Sequence, residues 1–357
     1  MEEQERDLDG WREAIDRLDR QIVALLEERA EVARQIGKLK AARGESVYVP
    51  AREQAVLERV IASSRGVLRA EHLRAIYTEI LSACRAVQRP LRVAYFGQFG
   101  SFTHQAALTR FGSAAEFVPA RTMADVFLLT EKGHTDFGVV PVENSTAGAV
   151  IDALDSFVES PLKICAEVTL PITHHLLSHS PLSEIKRVYS IGQALAQCRR
   201  WLAENLPHAE LIEVGSTTEG AERASRERDA AAVASELAAR HFGVPIQQAQ
   251  IQDFSNNVTR FLVIGQQMSS RTGRDKTGLI FGVHDRPGAL RDALDAFARR
   301  GINLTRIESR PSKRKPWEYL FFADLVGHPE DPAVAQALAE LEQQCTFVKV
   351  LGAWPME

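Results

Sequence analysis

Apolar residues at Leu8, Trp11, Ile15, Leu18, Ile22, Leu25, Val32, Ile36 and Leu39 recur in alternating steps of three and four. That spacing is a heptad seam on one continuous helix. At a rise of about 1.5 Å per residue the helix is roughly 50 Å long, too long to bury its stripe inside one small helical unit. A second copy of the chain is the simplest cover. One seam position breaks the stripe: Arg29, between Leu25 and Val32. An unpaired buried cation costs on the order of several kcal/mol, so an anion is expected beside it. That anion is either a glutamate of the protein, with Arg29 setting helix register, or a ligand.

Two shorter helical stretches, at about 52–63 and 71–88, complete an all-α unit that Pro90 ends. From Leu91 the grammar changes. Short apolar strands such as "LRVAYFG", "FGVVPV", "RVYSIG" and "RFLVIG" alternate with helical runs such as "QALAQCRRWLAENL", which predicts an α/β fold with a mostly parallel sheet. The polar stretch "QQMSSRTGRDK" reads as a linker, and the remainder spells βαββαβ, a small α+β module. The expected domains are therefore 1–90, 91–268 and 277–357, with 269–276 as linker.

Composition excludes several classes. No apolar run is long enough to span a bilayer, and the acidic start "MEEQERDLDG" has no signal-peptide core, so the cytosol is the expected compartment. Cys84, Cys165, Cys198 and Cys345 are far apart and lack metal-ligand spacing, which predicts reduced thiols and no structural metal. A net charge of -4 offers nucleic acid no basic footprint. Small molecules and further copies of the chain are the expected partners.

In the helical unit Arg12 and Lys40 each follow a seam residue, Gln88 stands four after Cys84, and Glu53 stands four before Leu57. Arg12 and Arg29 are about 25 Å apart along one helix, so Arg12 reaches a pocket at Arg29 only from a partner chain. At these residues the segment resembles the all-helical chorismate mutases. The resemblance implies an intertwined dimer in which Arg12 of one chain and Arg29 and Arg52 of the other hold the two carboxylates of chorismate. Lys40 and Gln88 would then donate to the ether oxygen, Glu53 would accept from the ring hydroxyl, and Cys84 would stand where some members carry serine. Val49 also departs from the family pattern, where some members have a charged contact. Such a Claisen rearrangement needs a folded substrate and donors at the oxygen that gains charge, with no nucleophile or cofactor.

The α/β segment carries hydroxyls and amides at strand ends and helix starts in "GQFGSFTHQAA", "GVVPVENSTAGAV", "VYSIGQALAQC" and "NNVTRFLVIG". Singly each has a bland reading. Ser101, Thr103, Ser145 and Thr146 are good helix caps, and His174 and His175, adjacent on an apolar strand, read as structural histidines. "GQFGSF" has no phosphate-loop lysine. Taken in order, residues 92–268 resemble the prephenate dehydratases, "NNVTRF" most specifically. The resemblance implies two lobes, like a type II solute-binding protein, with the active site between them. It makes Thr259 the donor to the departing hydroxyl and Glu143, Asn144 and Ser145 a lobe-interface group, with Ser190 and Gln197 in support. Arg260 either holds a substrate carboxylate or pairs with an internal acid. "SIGQ", with Ile191 and Gly192, and Gln98 depart from the family pattern. No metal or redox cofactor is implied.

The C-terminal strings "DRPGAL" and "NLTRIESRP" resemble the ACT domain of phenylalanine-sensitive dehydratases. Gly288, with Ala289 and Leu290, opens a helix whose N-H groups suit an amino-acid carboxylate. Glu308, Ser309 and Arg310 end a strand. Alone these would be a turn and a surface strand; the resemblance implies a phenylalanine site across a dimer. The combined expectation is a bifunctional enzyme converting chorismate to prephenate and then phenylpyruvate under phenylalanine control. An arogenate-preferring dehydratase and a non-catalytic solute-binding sensor are the alternatives.

Overall fold

The computed structural model describes residues 8–312 and 318–356. The chain divides into two units: one gathers the residues up to Val49 with Ala55–Leu91 and Phe111–Glu116, the other Pro50–Gln54, Arg92–Arg110 and the residues from Phe117 onward.

The helical elements are Leu8–Arg43, Pro50–Ala62 and Ala70–Ala86. In the long first helix only Ala33 and Gly37 are buried. Gly37 permits a close approach: a Cβ there would lie 2.8 Å from Gln88 Cβ and Cγ. The apolar seam is bare, with Leu8, Trp11, Leu25 and Leu39 between 55% and 65% exposed. Its period matches expectation, and the described chain supplies no cover for it. The third helix stops at Ala86, two residues short of the expected end, so Gln88 lies in the turn beyond it with its Nε2 donating to Cys84 O at 3.1 Å. In the same unit the Arg85 guanidinium donates to Phe111 O, and the Tyr48 ring packs on Phe111 at 5.0 Å.

In the second unit a ten-stranded sheet runs in the order Leu304–Pro311, Tyr319–Val326, Asp275–Val283, Cys345–Pro355, Lys163–Pro171, Val258–Gly265, Phe137–Asn144, Arg92–Phe96, Glu116–Ala120, with Gly148–Ala149 attached to Phe137–Asn144. A five-stranded sheet has the order Ile246–Gln248, His175–Leu177, Ala230–Ala234, Arg187–Ser190, Glu210–Glu213. Both are mixed, which corrects the expectation of a mostly parallel sheet. The second lobe is inserted between Lys163–Pro171, on which the chain leaves, and Val258–Gly265, on which it returns. These neighbours must run antiparallel, and Val258 pairs with Pro171 at the crossing. The run "QALAQCRRWLAENL" also departs from the reading, as two helices, Gly192–Gln197 and Arg199–Asn205. The break has a cause: Gln197 O accepts from Asp253 N at 2.7 Å, and the Asp253 carboxylate accepts from Arg200 N at 3.0 Å, starting the second helix.

The βαββαβ module has the expected order, with helices Ala289–Ala298 and Pro332–Gln344 packed over its strands. Asp275 and Lys276, assigned by sequence to the linker, already belong to the first strand. Its last strand joins the strand Lys163–Pro171 at one pairing, Gly352 beside Ile164, in parallel. Gly352 has φ 149°, and a Cβ there would meet Ile164 O at 2.2 Å and Ile164 N at 2.5 Å. Only glycine admits this backbone-to-backbone approach. Gly352→Ala is expected to lower stability by about 2–4 kcal/mol, and truncating the Ile164 side chain will not rescue it because the clash is with backbone. An unchanged denaturation midpoint in Gly352→Ala would contradict the close approach.

Candidate functional site

Successive residues of a strand face opposite ways, and Val258–Gly265 uses both faces. Thr259 turns toward a cavity of about 920 Å³, while its neighbour Arg260 does not line it. The cavity draws on both lobes: Asn144, Ser101 and Thr259 from the first, His174, Gln197 and Ser216 from the second. Helix starts at Phe102, Met123 and Thr217 reach its wall. The first N-H groups of a helix have no intrahelical acceptor and favour an anion. Among the described lining residues none is a carboxylate, and Arg121, exposed and preceding the Thr122 helix cap, is the one guanidinium or ammonium.

Beneath Thr259 four side chains close a hydrogen-bond ring across the lobes. Asn144 Nδ2 donates to Asn257 Oδ1 (2.7 Å), Asn257 Nδ2 to Gln197 Oε1 (3.1 Å), Gln197 Nε2 to Thr146 Oγ1 (2.9 Å), and Thr146 Oγ1 to Asn144 Oδ1 (2.6 Å). Its direction is not arbitrary. Asn144 Oδ1 also accepts from the backbone N-H groups of Thr146 (3.1 Å) and Ala147 (2.9 Å), which are donors only. With that oxygen pinned, the second Asn144 Nδ2 hydrogen goes to Thr259 Oγ1 at 2.8 Å. Thr259 therefore accepts from below, and its own proton is left for whatever occupies the cavity. His174 touches the ring at Gln197 Oε1 through Nε2 (2.9 Å) and meets the Phe102 ring edge-on. Burial, aided by the neighbouring His175 charge and opposed by the Gln197 bond, holds its pKa below the ordinary histidine value, so the ring is neutral near pH 7.

The remaining predicted residues lie elsewhere. Ser190 Oγ donates to Val233 O at 2.6 Å and is fully buried between strands. Ser145 Oγ donates to Asn256 O and accepts from Val258 N, both at 2.9 Å, tying two loops together. Neither lines the cavity. Glu143 lies 3.0 Å from Arg306 Nε of the C-terminal module and 3.9 Å from Arg260. Arg260 itself pairs with Asp324 of that module (2.5 Å) and with Glu167 (3.0 Å), close to the Trp354 ring. Burial opposes the Arg260 charge, but the Asp324 and Glu167 carboxylates outweigh it and raise the pKa further. Of the two readings of Arg260, pairing with internal acids is the one realised. The sequence reading missed Arg121, Thr146, Asn257 and His174 as cavity or ring groups. Two of them stand beside quoted site residues; the others carry no local signal.

Among the helical residues, Arg29 donates to Cys84 Sγ at 2.8 Å, and among the described residues no carboxylate pairs with it. Lys40 Nζ donates to Ser46 O and Val47 O, at 3.0 and 3.1 Å, and Gln88 Oε1 is buried without a partner. Arg12 is exposed, 3.0 Å from Asp9. Arg52 and Glu53 occupy the first turn of Pro50–Ala62, the former exposed and the latter half-buried.

In the C-terminal module Gly288, at φ 82°, precedes the helix Ala289–Ala298. The Ala289 side chain is buried and the half-buried Leu290 packs on the module's core. Strand alternation separates the expected trio: Glu308 and Arg310 are half-buried, with Arg310 3.4 Å from Asp155, whereas Ser309 is exposed.

Comparison with known proteins agrees with this division. Three family models match: chorismate mutase type II at residues 11–89, prephenate dehydratase at 93–269 and the ACT domain at 277–343. The chain is 47% identical over 354 residues to the bifunctional chorismate mutase/prephenate dehydratase of Aquifex aeolicus, covering 98% of each. It is 41% identical over 355 residues to the protein of that name from Pseudomonas aeruginosa, covering 98% of this chain and 97% of the other. Among solved structures it resembles the prephenate dehydratase of Arthrobacter aurescens in complex with L-Phe, with 36% identity and a TM-score of 0.69 over 74% of this chain and 90% of that one. An N-terminal helical unit, a two-lobed dehydratase unit and an ACT module in one continuous chain place it in the bifunctional chorismate mutase/prephenate dehydratase family.

Proposed function

We propose that the two activities occupy separate sites, the mutase at Arg29 and the dehydratase at Thr259, in domains bounded at 1–90, 91–268 and 277–357. The observation that carries the dehydratase site is the orientation of Thr259, whose hydroxyl accepts from Asn144 and keeps its proton for the cavity. Decarboxylation of prephenate sends the C–C bonding pair into the ring as the C–O bond breaks, and hydroxide departs poorly unless a donor meets it. Thr259 supplies that hydrogen bond, and aromatisation drives the rest. The dianion is held by Arg121 and by the helix starts at Phe102 and Thr217, and Arg260, paired with Glu167 and Asp324, takes no part in holding it. Asn144 and Gln197 act by orienting Thr259; Glu143, Ser145 and Ser190 support the fold around it.

In the helical unit Arg29, paired with no carboxylate among the described residues, takes a chorismate carboxylate, as does Arg52. Lys40 and Gln88 donate to the breaking ether bond, Glu53 accepts from the ring hydroxyl, and Cys84 lines the pocket. Arg12 comes from a second chain, which also covers the seam from Leu8 to Leu39; the bare apolar stripe is what supports a homodimer. Phenylalanine binds the ACT module through the N-H groups after Gly288, near the strand end at Glu308–Arg310. Strand register supports this, because Gly282, Leu320 and Arg310 share one row at that end of the sheet. The ion pairs Arg260 to Asp324 and Glu143 to Arg306 then carry the bound state to the strand that bears Thr259.

The partition has a direct test. Arg29→Ala is expected to lower mutase kcat/KM by at least about a hundredfold and spare dehydration, while Thr259→Ala does the reverse. Loss of both reactions in either folded variant would contradict separate sites. Arg121→Gln is expected to raise the KM for prephenate about tenfold at nearly constant kcat, with the effect shrinking in high salt. An unchanged KM would remove Arg121 from the site.

A further inference from the structure

His174 was read from sequence as a structural histidine, yet it lines the dehydratase cavity and is 2% exposed. Its Nδ1 is buried with no hydrogen-bond partner among the described residues, and its Nε2 faces Gln197 Oε1 at 2.9 Å. The ring beneath Thr259 decides which tautomer this requires. Asn144 Oδ1 is fixed by two backbone N-H groups, so Asn257 must present its oxygen to Asn144 and its nitrogen to Gln197. Gln197 consequently presents Oε1 to both Asn257 and His174. An acceptor there demands a donor at His174 Nε2, which leaves Nδ1 as the bare lone pair. The opposite tautomer would set lone pair against lone pair and favour a flipped Gln197 amide. A flipped amide would then oppose donor to donor at Asn257. The strain would pass to Asn144, whose Nδ2 is the group that orients Thr259.

We infer that His174 is a positioning residue of the dehydratase: its Nε2-H locks the direction of the Asn144–Asn257–Gln197–Thr146 ring and so keeps the Thr259 proton aimed at substrate. The ring's direction matters because an Asn144 turned the other way would present an oxygen to Thr259 and draw that proton away from the cavity. Gln197 comes from the second lobe and Asn144, Thr146 and Asn257 from the first, so its bonds to Asn257 (3.1 Å) and Thr146 (2.9 Å) cross between the lobes, and His174, by fixing the Gln197 amide, keeps both of them made. The inference rests on the reading of Thr259 as the donor, and the test separates the two.

Dehydratase kcat and KM are measured on the full-length protein for His174→Leu, which removes the N-H at similar volume, and for His174→Gln, whose side-chain amide places an N-H near the Nε2 position. Mutase activity in the same preparations reports folding. His174→Leu is expected to lower kcat by about ten- to a hundredfold while KM changes less than about threefold. His174→Gln should recover most of that loss. In a Thr259→Ala background His174→Leu should cost nothing further, because the effect passes through the missing hydroxyl. If Thr259→Ala keeps its kcat, the donor reading itself fails. If Thr259→Ala falls but His174→Leu does not, or if His174→Leu costs its full factor without Thr259, or if His174→Gln is as poor as His174→Leu, the positioning role is overturned. Should His174→Leu not fold, His174→Asn, whose amide reaches only the Nδ1 position, is expected to show the same kcat loss and is judged by the same outcomes.

Discussion

A β-strand cannot point two neighbouring side chains the same way, and in Val258–Gly265 that constraint divides two tasks between Thr259 and Arg260. Thr259 enters the inter-lobe cavity; Arg260 enters a buried cluster with Glu167, Asp324 and the Trp354 ring. The strand also lies between Lys163–Pro171 and Phe137–Asn144, and Thr259 sits on one of the two crossings between lobes. Whatever moves this strand reaches the lobe interface and the regulatory module together. Breaking a buried ion pair by removing one partner typically costs about 3–5 kcal/mol, more than enough to make the Arg260 cluster a rigid fixing point.

The ring beneath Thr259 is built from neutral groups, and their strength lies in direction. An amide ring in which every donor meets an acceptor can run one way only once a single oxygen is pinned by backbone. Here the pin is Asn144 Oδ1, and its consequence is a threonine hydroxyl whose acceptor capacity is used and whose proton is not. Threonine is too weak an acid to release that proton outright, so what the proposed role asks of it is a preorganised hydrogen bond to an oxygen gaining charge. The helical unit places a guanidinium facing a thiol, an amide oxygen of Gln88 buried without a partner among the described residues, and a glycine that lets Gln88 approach the first helix.

Much of this was legible in the residues. Period gave the long helix, because a seam repeats every few residues and needs no tertiary information; alternation gave the strands. "NNVTRF" marked a strand that reaches the inter-lobe cavity, since polar groups crowding a buried strand demand partners. What was not legible shares one cause. Arg121, Thr146 and His174 join the site from segments whose local patterns are ordinary, a helix cap and an apolar strand, and only the closing of two lobes makes them neighbours. The mixed sheet escaped for a similar reason: apolar runs carry no strand direction, and the insertion of one lobe between two strands of the other sets it. Arg260 was separable in principle, because strand alternation already placed it opposite Thr259. Glu308, Ser309 and Arg310 were separable by the same rule.

The central claim is that the Asn144 amide, by donating to Thr259, frees the threonine proton for the departing hydroxyl. Asn144→Asp is nearly the same shape but puts an acceptor where the donor was, so it should capture that proton. Its dehydratase kcat, measured beside the mutase rate of the same preparation, is predicted to fall by about a hundredfold or more while the mutase rate holds. A kcat close to that of the unaltered chain would mean that the threonine proton was never the one that counts.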